Sequence, residues 1–409
     1  MIMSDGPHGL RRQAGAGDHP GLNASLPATC FPTAATMANS WDEKLGEEVG
    51  KALGEEAKTM GVHVLLGPGM NVKRNPLCGR NFEYFSEDPY LSGKMAAAYV
   101  RGIQSLGVYS CIKHFAVNSQ EERRMAMNAV VDERALREIY LTGFEIALEE
   151  GKPGAVMTSY NQVNGEYANE STHLLKDILR GEWGYEGLVV SDWGGANDHV
   201  ASVKAGSDLE MPAPGLGSAR ELVEAVNAGI LSEDDLDSRV DELLEAVLNT
   251  AESAKSAPQN FDIEAHHALA RKAAANCAVL LKNEDNILPL NEGIRVAVIG
   301  DFAFEPRYQG AGSSMVNTTR LETIENLIKE DKKIVVKQMC RGYRRNGDTD
   351  GAEIAQLYVG LPKSKIFRPE KELKGFAKIF LKAGESKRVL LPFDSRTFRY
   401  WNRKTNAWG

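Results

Sequence analysis

The stretch GLVVSDWGG, residues 187–195, ends an apolar run in a carboxylate, Asp192, and follows it with Trp193 and two glycines. Leu188 to Val190 are continuously apolar, the pattern of a strand buried on both faces of a parallel sheet. A strand end holds a carboxylate rigidly enough for nucleophilic or acid–base chemistry, and glycines beside it let a ligand approach the backbone. The same residues also fit a strand that simply ends in an Asp-initiated turn. Other strand-like runs end in the same way: VYSCIKH in Lys113 and His114, GAVMTSY in Ser159 and Tyr160. A Lys-His pair there can donate to a ligand's hydroxyls, or it can serve as an ordinary salt-bridge pair. Polar strand ends in succession predict one shared active-site rim, because the strands of a (β/α) barrel open at a common mouth.

The elements that must position these groups follow from periodicity. Strand candidates at 62–69, 108–114, 154–160, 187–192 and 207–211 alternate with amphipathic helical stretches at 91–107, 132–151, 173–184 and 198–206. Several of the helical stretches finish in a glycine suited to a C-cap. Such alternation predicts a parallel sheet. The chain has no GxGxxG and no GxxxxGK[ST], which argues against a dinucleotide or P-loop sheet. Residues 231–254 read as a long amphipathic helix with Ser232 and Asp235 at a capped start, and KSAPQNFD as a linker. A helix then restarts and leads to RVAVIGD (295–301), read as a buried strand that opens a second α/β unit. The last sixty residues or so read as all-β, a small sandwich. At the other end MIMSDGPHG reads as the middle of a strand at Met1–Met3 followed by a turn, as if an upstream start were lost.

Length and composition bound the answer. A chain of 409 residues accommodates two or three domains, and 43% apolar with 25% charged residues is ordinary for a soluble globular protein. A net charge of -8 disfavours nucleic acid and anionic membrane and points weakly to a neutral or cationic small molecule. Cys30, Cys78, Cys111, Cys277 and Cys340 are odd in number, scattered and without a CxxC, which predicts thiols in a reducing compartment and no zinc site. With no bilayer-length apolar run and no signal-peptide pattern, a cytoplasmic location is expected.

Four stretches in order, SDGPHGLR (4–11), GRNFEYFSEDPYLSG (79–93), KHFAVNSQEERR (113–124) and MTSYNQVNG to GLVVSDWGG (157–195), resemble glycoside hydrolase family 3. LLKNEDNILPL and RPEKELKGF resemble it too. The resemblance implies a TIM-like (β/α) barrel over 1–255, a linker at 256–264, a partial α/β sandwich at 265–350 and a fibronectin-III-like β-sandwich at 351–409. It implies a retaining exo-β-glucosidase that releases terminal β-D-glucosyl residues, with Asp192 as nucleophile. Asp5 matches the acid that accepts from the sugar's outer hydroxyls; Arg80, Lys113, His114 and Arg124 match basic pocket residues whose field keeps Asp192 ionised. Arg11 matches the pocket margin, Met157 and Tyr160 the lining, Trp193 an aromatic wall and Ser313, in QGAGSSMVN, a loop that reaches the sugar. Tyr160 is also placed to orient the nucleophile. On residue type alone, Arg80 pairs equally well with Glu83 or Glu87, Met157 is a core residue, and the Gly-Ser loop is a phosphate cradle. No cofactor or metal is implied; the expected partner is a small sugar, with a homo-oligomer allowed and no nucleic acid or membrane.

The sequence departs from the family in one respect. The family's acid/base Glu comes from a loop of the second α/β domain, yet here CRGYRRNGDTD (340–350) runs directly into GAEIAQLYVG. Most of that domain is therefore read as absent, and none of Glu83, Glu87, Glu121, Glu122 or Glu210 stands where the acid does. KHFAVNSQEERR does not supply the His–Asp pair that replaces the acid in one subgroup. The alternatives are a β-xylosidase or other exo-glycosidase, and a non-catalytic carbohydrate-binding remnant.

Overall fold

A computed structural model of the chain describes residues 1–15, 23–341, 351–359, 372–382, 387, 389–391, 401–402 and 407–408. Contacts divide the chain into two units, Met1–Pro289 with Arg307–Glu322, and Leu290–Pro306 with Thr323–Gly409.

The first unit is built on five parallel strands, β1 (Met3–Asp5), β2 (Val64–Leu66), β3 (Tyr109–Phe115), β4 (Ala155–Thr158) and β5 (Leu188–Val190). They lie side by side in chain order. Registers Asp5↔Leu66 and Lys113↔Met157↔Val190 bring the polar ends to one edge of the sheet. The first strand corrects an expectation: Ser4 and Asp5, read as a turn, are paired in β1. At the far edge 207–211 forms a single bridge, Leu209 to Val190, where a full strand was expected. There the Ser207 hydroxyl donates to Asn169, the Asp208 carboxylate accepts from the Val189 backbone N–H, and the Ser191 hydroxyl bonds both backbone groups of Met211, so the hydrogen bonds are divided between backbone and side chains.

Two helices on the sheet show why sequence folds this way locally. Asp42 accepts from Leu45 N to start α1 (Glu43–Thr59), and Asp88 accepts from Leu91 N to start α2 (Pro89–Gln104), with proline in its first turn. Gly50 and Gly54, one turn apart, let the helices touch through their backbones. A Cβ on Gly50 would fall 2.5 Å from the Tyr99 carbonyl oxygen, and one on Gly54 2.6 Å from that of Ile103. Leu45, Val49, Leu53, Met95, Tyr99 and Val100 are thereby buried in one core with Leu65 and Ile112 of the sheet.

Further along, α3 (His199–Ala205) is capped by Asp198, while α4 (Glu233–Ala254) starts at Ser232 without the side-chain cap expected. The helix expected to open the second domain, α5 (Ile263–Asn276), belongs to the first unit. His266, Ala273 and Cys277 are buried there; the His266 ring is hydrogen-bonded to Glu56 of α1, and the Cys277 thiol donates to the Met37 carbonyl.

In the second unit β6 (Arg295–Ile299) pairs in parallel with β7 (Val335–Cys340), and α6 (Ile324–Glu330) precedes β7. β6 was read as buried; every residue of it is exposed or half-buried, because a two-stranded sheet gives each face little cover. β8 (Gly351–Val359) and β9 (Glu372–Leu381) form an antiparallel pair. The expected break at 342–350, and most of the expected strand at 386–394, lie outside the described residues. No described helix is long and apolar enough to cross a membrane.

Candidate active site

The strand ends open into a cavity of about 550 Å³. Of the eleven residues singled out in the sequence, ten line it: Asp5, Arg11, Arg80, Lys113, His114, Arg124, Met157, Asp192, Trp193 and Ser313. The eleventh, Tyr160, does not line the cavity. Its hydroxyl donates to the Trp193 carbonyl (3.0 Å) and its ring lies under the Arg124 guanidinium at 4.5 Å, so it braces the turn after β5 from behind. Tyr160 is thus not the cavity-lining residue that was expected, but its hydroxyl also interacts with the Asp192 carboxylate, the contact expected of a residue that orients the nucleophile.

Asp192 lies two residues beyond β5, its side chain 9% exposed. Oδ1 accepts from Trp193 N at 2.7 Å. Oδ2 is buried with no hydrogen-bond partner among the described residues, although Arg80 Nη1 lies 3.7 Å and His114 Nε2 3.5 Å away. A buried carboxylate oxygen left uncommitted is costly in a structural role and useful in a chemical one.

Arg80 reaches three groups. Its Nε donates to Glu83 in a short ion pair, Nη2 meets His114 Nε2 at 2.7 Å, and Nη1 faces Asp192. Burial opposes the guanidinium charge, and Glu83 together with Asp192 outweighs it, so the pKa is raised. Pairing with Glu83 and service to Asp192, alternatives in the sequence, are both present. A guanidinium has only donors, so His114 Nε2 must accept, and Nδ1 carries the proton to the Tyr84 hydroxyl, 3.0 Å away. Burial, reinforced by Arg80, Lys113 and Arg124, holds the imidazole well below its usual pKa. His114 is therefore neutral, and its approach to Asp192 is not an ion pair. That corrects its expected share in the positive field.

Lys113, on β3, donates to Asp5 Oδ1 on β1 at 2.9 Å; its side chain is 2% exposed and that of Asp5 24%. Burial disfavours the ammonium, but Asp5 and Glu83 overcompensate and raise its pKa. Burial alone would raise Glu83, and Arg80 and Lys113 pull it below the ordinary carboxylate range. Arg124 donates to Glu121, and Arg11 Nη1 to the Ser313 carbonyl at 3.4 Å. The Ser313 loop, expected in the second domain, belongs to the first unit by its contacts.

Sequence reasoning missed three participants, Arg12, Phe82 and Asn71. Arg12 and Phe82 line the cavity, as does Glu83, which the sequence offered only as a partner of Arg80. Asn71 pins His114 by both backbone groups, Oδ1 to N (2.7 Å) and Nδ2 to the carbonyl (2.8 Å). Glu83 sat three residues beyond Arg80, a spacing that signals a local pair; Asn71 carried no local signal. No described group of His, Cys, Asp and Glu is arranged to hold a metal ion.

A parallel α/β sheet with carboxylates and cations gathered at one edge defines an α/β protein with a small-molecule site at its strand ends. Residues 14–246 match the family model described as glycosyl hydrolase family 3 N terminal domain, and residues 353–409 that of a fibronectin type III-like domain. The chain belongs to glycoside hydrolase family 3. Thermostable beta-glucosidase B of Acetivibrio thermocellus is 46% identical over 407 residues, 96% of this chain and 53% of that protein. An exo-alpha-(1->6)-L-arabinopyranosidase of Bifidobacterium longum is 43% identical, over 80% of this chain and 44% of its own. The solved beta-glucosidase 3B of Thermotoga neapolitana, in complex with alpha-D-glucose, aligns with a TM-score of 0.76 at 43% identity, covering 82% of this chain and 47% of that one. The chain thus spans about half the length of the curated relatives it matches.

Proposed function

We propose that the chain acts on terminal, non-reducing β-D-glucosyl residues as a retaining exo-glycosidase, with Asp192 as nucleophile. The observation that carries this reading is the uncommitted Asp192 Oδ2 in a cavity of sugar size beside Arg80. The carboxylate would form a bond to the anomeric carbon as the glycosidic C–O bond breaks, the aglycone oxygen leaving with the bonding electrons and taking a proton from solvent. Water would then attack the same carbon, release the sugar with retained configuration and return the carboxylate, its surplus proton passing to solvent. Asp5, Lys113, Arg80 and Arg124 would hold the hydroxyls, Asp5 as a pure acceptor and the cations as donors. Trp193, 39% exposed, would offer its face to the sugar's apolar side. Strand order without reversal supports the finer fold reading, a (β/α) barrel-like domain, since a doubly wound sheet reverses its order at the ligand crevice.

Glucose is favoured by the beta-glucosidase relatives, but the arabinopyranosidase at nearly the same identity keeps other pyranosides, xylosides included, as the second reading of the sugar. A carbohydrate-binding role without efficient turnover has its own support. Among the cavity's carboxylates Asp5 is engaged by Lys113, and Glu83, held below the ordinary range, is a poor proton donor at neutral pH. Hydrolysis of an aryl β-D-glucoside by the wild type and by Asp192→Asn separates these readings. Turnover lost in the variant supports the nucleophile; equal turnover in both overturns it; sugar binding with no turnover in either supports the binding role.

A further inference from the structure

The loop that brings Ser313 to the cavity is closed by one side chain. Gln309 Oε1 accepts from Val316 N at 2.8 Å, and its Nε2 donates to the Val316 carbonyl at 3.0 Å. One amide satisfies both backbone groups of a residue seven positions on, as an adjacent strand would. Val316 is only 3% exposed, so water is a poor substitute for either bond.

Inside the closure there is no slack. Gly310 lies on Phe82, where a Cβ would meet the ring at 2.5 Å, and Gly312 holds φ +83°, a conformation that favours glycine. Beyond it, Ala28 N donates to the Asn317 carbonyl and the Ala28 carbonyl accepts from Thr319 N, each at 2.9 Å. Ser313 therefore stands between two fixed ends, its carbonyl bonded by Arg11.

We infer that Gln309, which does not itself line the cavity, is a positioning residue that sets sugar affinity by holding the Ser313 loop. The inference rests on the sugar-site reading above. The groups around Gln309 are His8, Cys30 and Tyr308, with Glu83 and Lys113 facing His8. Burial lowers His8 to about 4, raises the Cys30 thiol to about 12 and raises Tyr308, while Glu83 is lowered and Lys113 raised. From about pH 5 to 8 none of them changes charge, so the native closure is indifferent to pH there.

That makes Gln309→Glu a sensitive variant. A protonated carboxyl offers one acceptor and one donor, as the amide does; an ionised one turns two acceptors on the Val316 carbonyl. Burial raises a carboxyl pKa, which keeps the protonated form populated near pH 5.

The test measures glucose affinity by calorimetry and KM and kcat on an aryl β-glucoside, with thermal unfolding alongside, for wild type, Gln309→Ala and Gln309→Glu. Gln309→Ala is expected to raise Kd and KM on the order of tenfold at every pH, with kcat within about threefold. Gln309→Glu is expected to bind nearly as wild type near pH 5 and to weaken toward pH 8. Wild-type affinity in a folded Gln309→Ala protein, or a flat pH response in Gln309→Glu, overturns the role of Gln309 alone. If Gln309→Ala does not fold, the pH response of Gln309→Glu decides. A wild type that binds no glucose overturns the sugar-site reading and this inference with it.

Discussion

Arg80 Nη2 and His114 Nε2 meet at 2.7 Å, and because one of them is always a donor, the contact fixes both tautomer and charge of the histidine. The site's positive charge thus comes from its arginines and Lys113, while His114 acts as a neutral strut between Arg80 and Tyr84.

This has a measurable sign. The folded pKa of His114 lies below its unfolded value, so the unfolded chain takes up a proton first as pH falls through the usual imidazole range. Stability should fall with pH below about 6.5, by up to about 1.4 kcal/mol per pH unit for this group. His8, lowered to about 4, acts in the same direction, and His266, raised by Glu56, acts against them. Urea unfolding from pH 7 to 5 should therefore show a gentler slope in His114→Gln than in wild type. An unchanged slope means the imidazole titrates alike in the folded and unfolded chain, and a steeper slope in the variant means it is charged at neutral pH; either contradicts the neutral strut.

The Lys113–Asp5 pair joins the third strand to the first, and its two ends are unequally buried. Asp5→Asn leaves a buried ammonium short of its main partner and should cost on the order of 2–3 kcal/mol. Lys113→Met leaves a carboxylate that water can still reach and should cost about 1 kcal/mol or less. Chemical denaturation of the two variants gives the order; the reverse order contradicts the burial argument.

The proton donor's identity should appear in the choice of substrate. With no carboxyl among the described cavity residues poised as acid, leaving groups that depart as stable anions need no help, whereas an alkyl or sugar leaving group is expected to lose on the order of 10²–10⁴ in rate. The ratio of kcat/KM for 4-nitrophenyl β-glucoside over cellobiose should accordingly be large. A ratio near unity means that a carboxyl outside the cavity's described lining serves as acid.

Much of this site was legible because its chemistry sits at strand ends. Asp192, Lys113 and Met157 each follow or close an apolar run, and the period of the sheet brings such ends together. The neutral state of His114 was not legible, since it depends on Arg80, thirty-four positions away, and on burial from all sides. Tyr160 illustrates the converse: its position after β4 was clear, but whether its ring faced the cavity or the turn behind it depended on Arg124 and the Trp193 carbonyl. The first-unit placement of α5 rests on a buried contact between His266 Nδ1 and Glu56 Oε1, at 2.8 Å, two residues 210 apart in sequence. Local composition there announced only a helix.

As the nucleophile, Asp192 should take up the sugar covalently. Incubation with a 2-deoxy-2-fluoro-β-glucoside bearing an activated leaving group slows release of the glycosyl intermediate, and peptide mass spectrometry then locates it. One fluoroglycosyl group is expected on the peptide at Asp192, absent in Asp192→Asn. A label on any other carboxylate, with Asp192 unmodified, contradicts it.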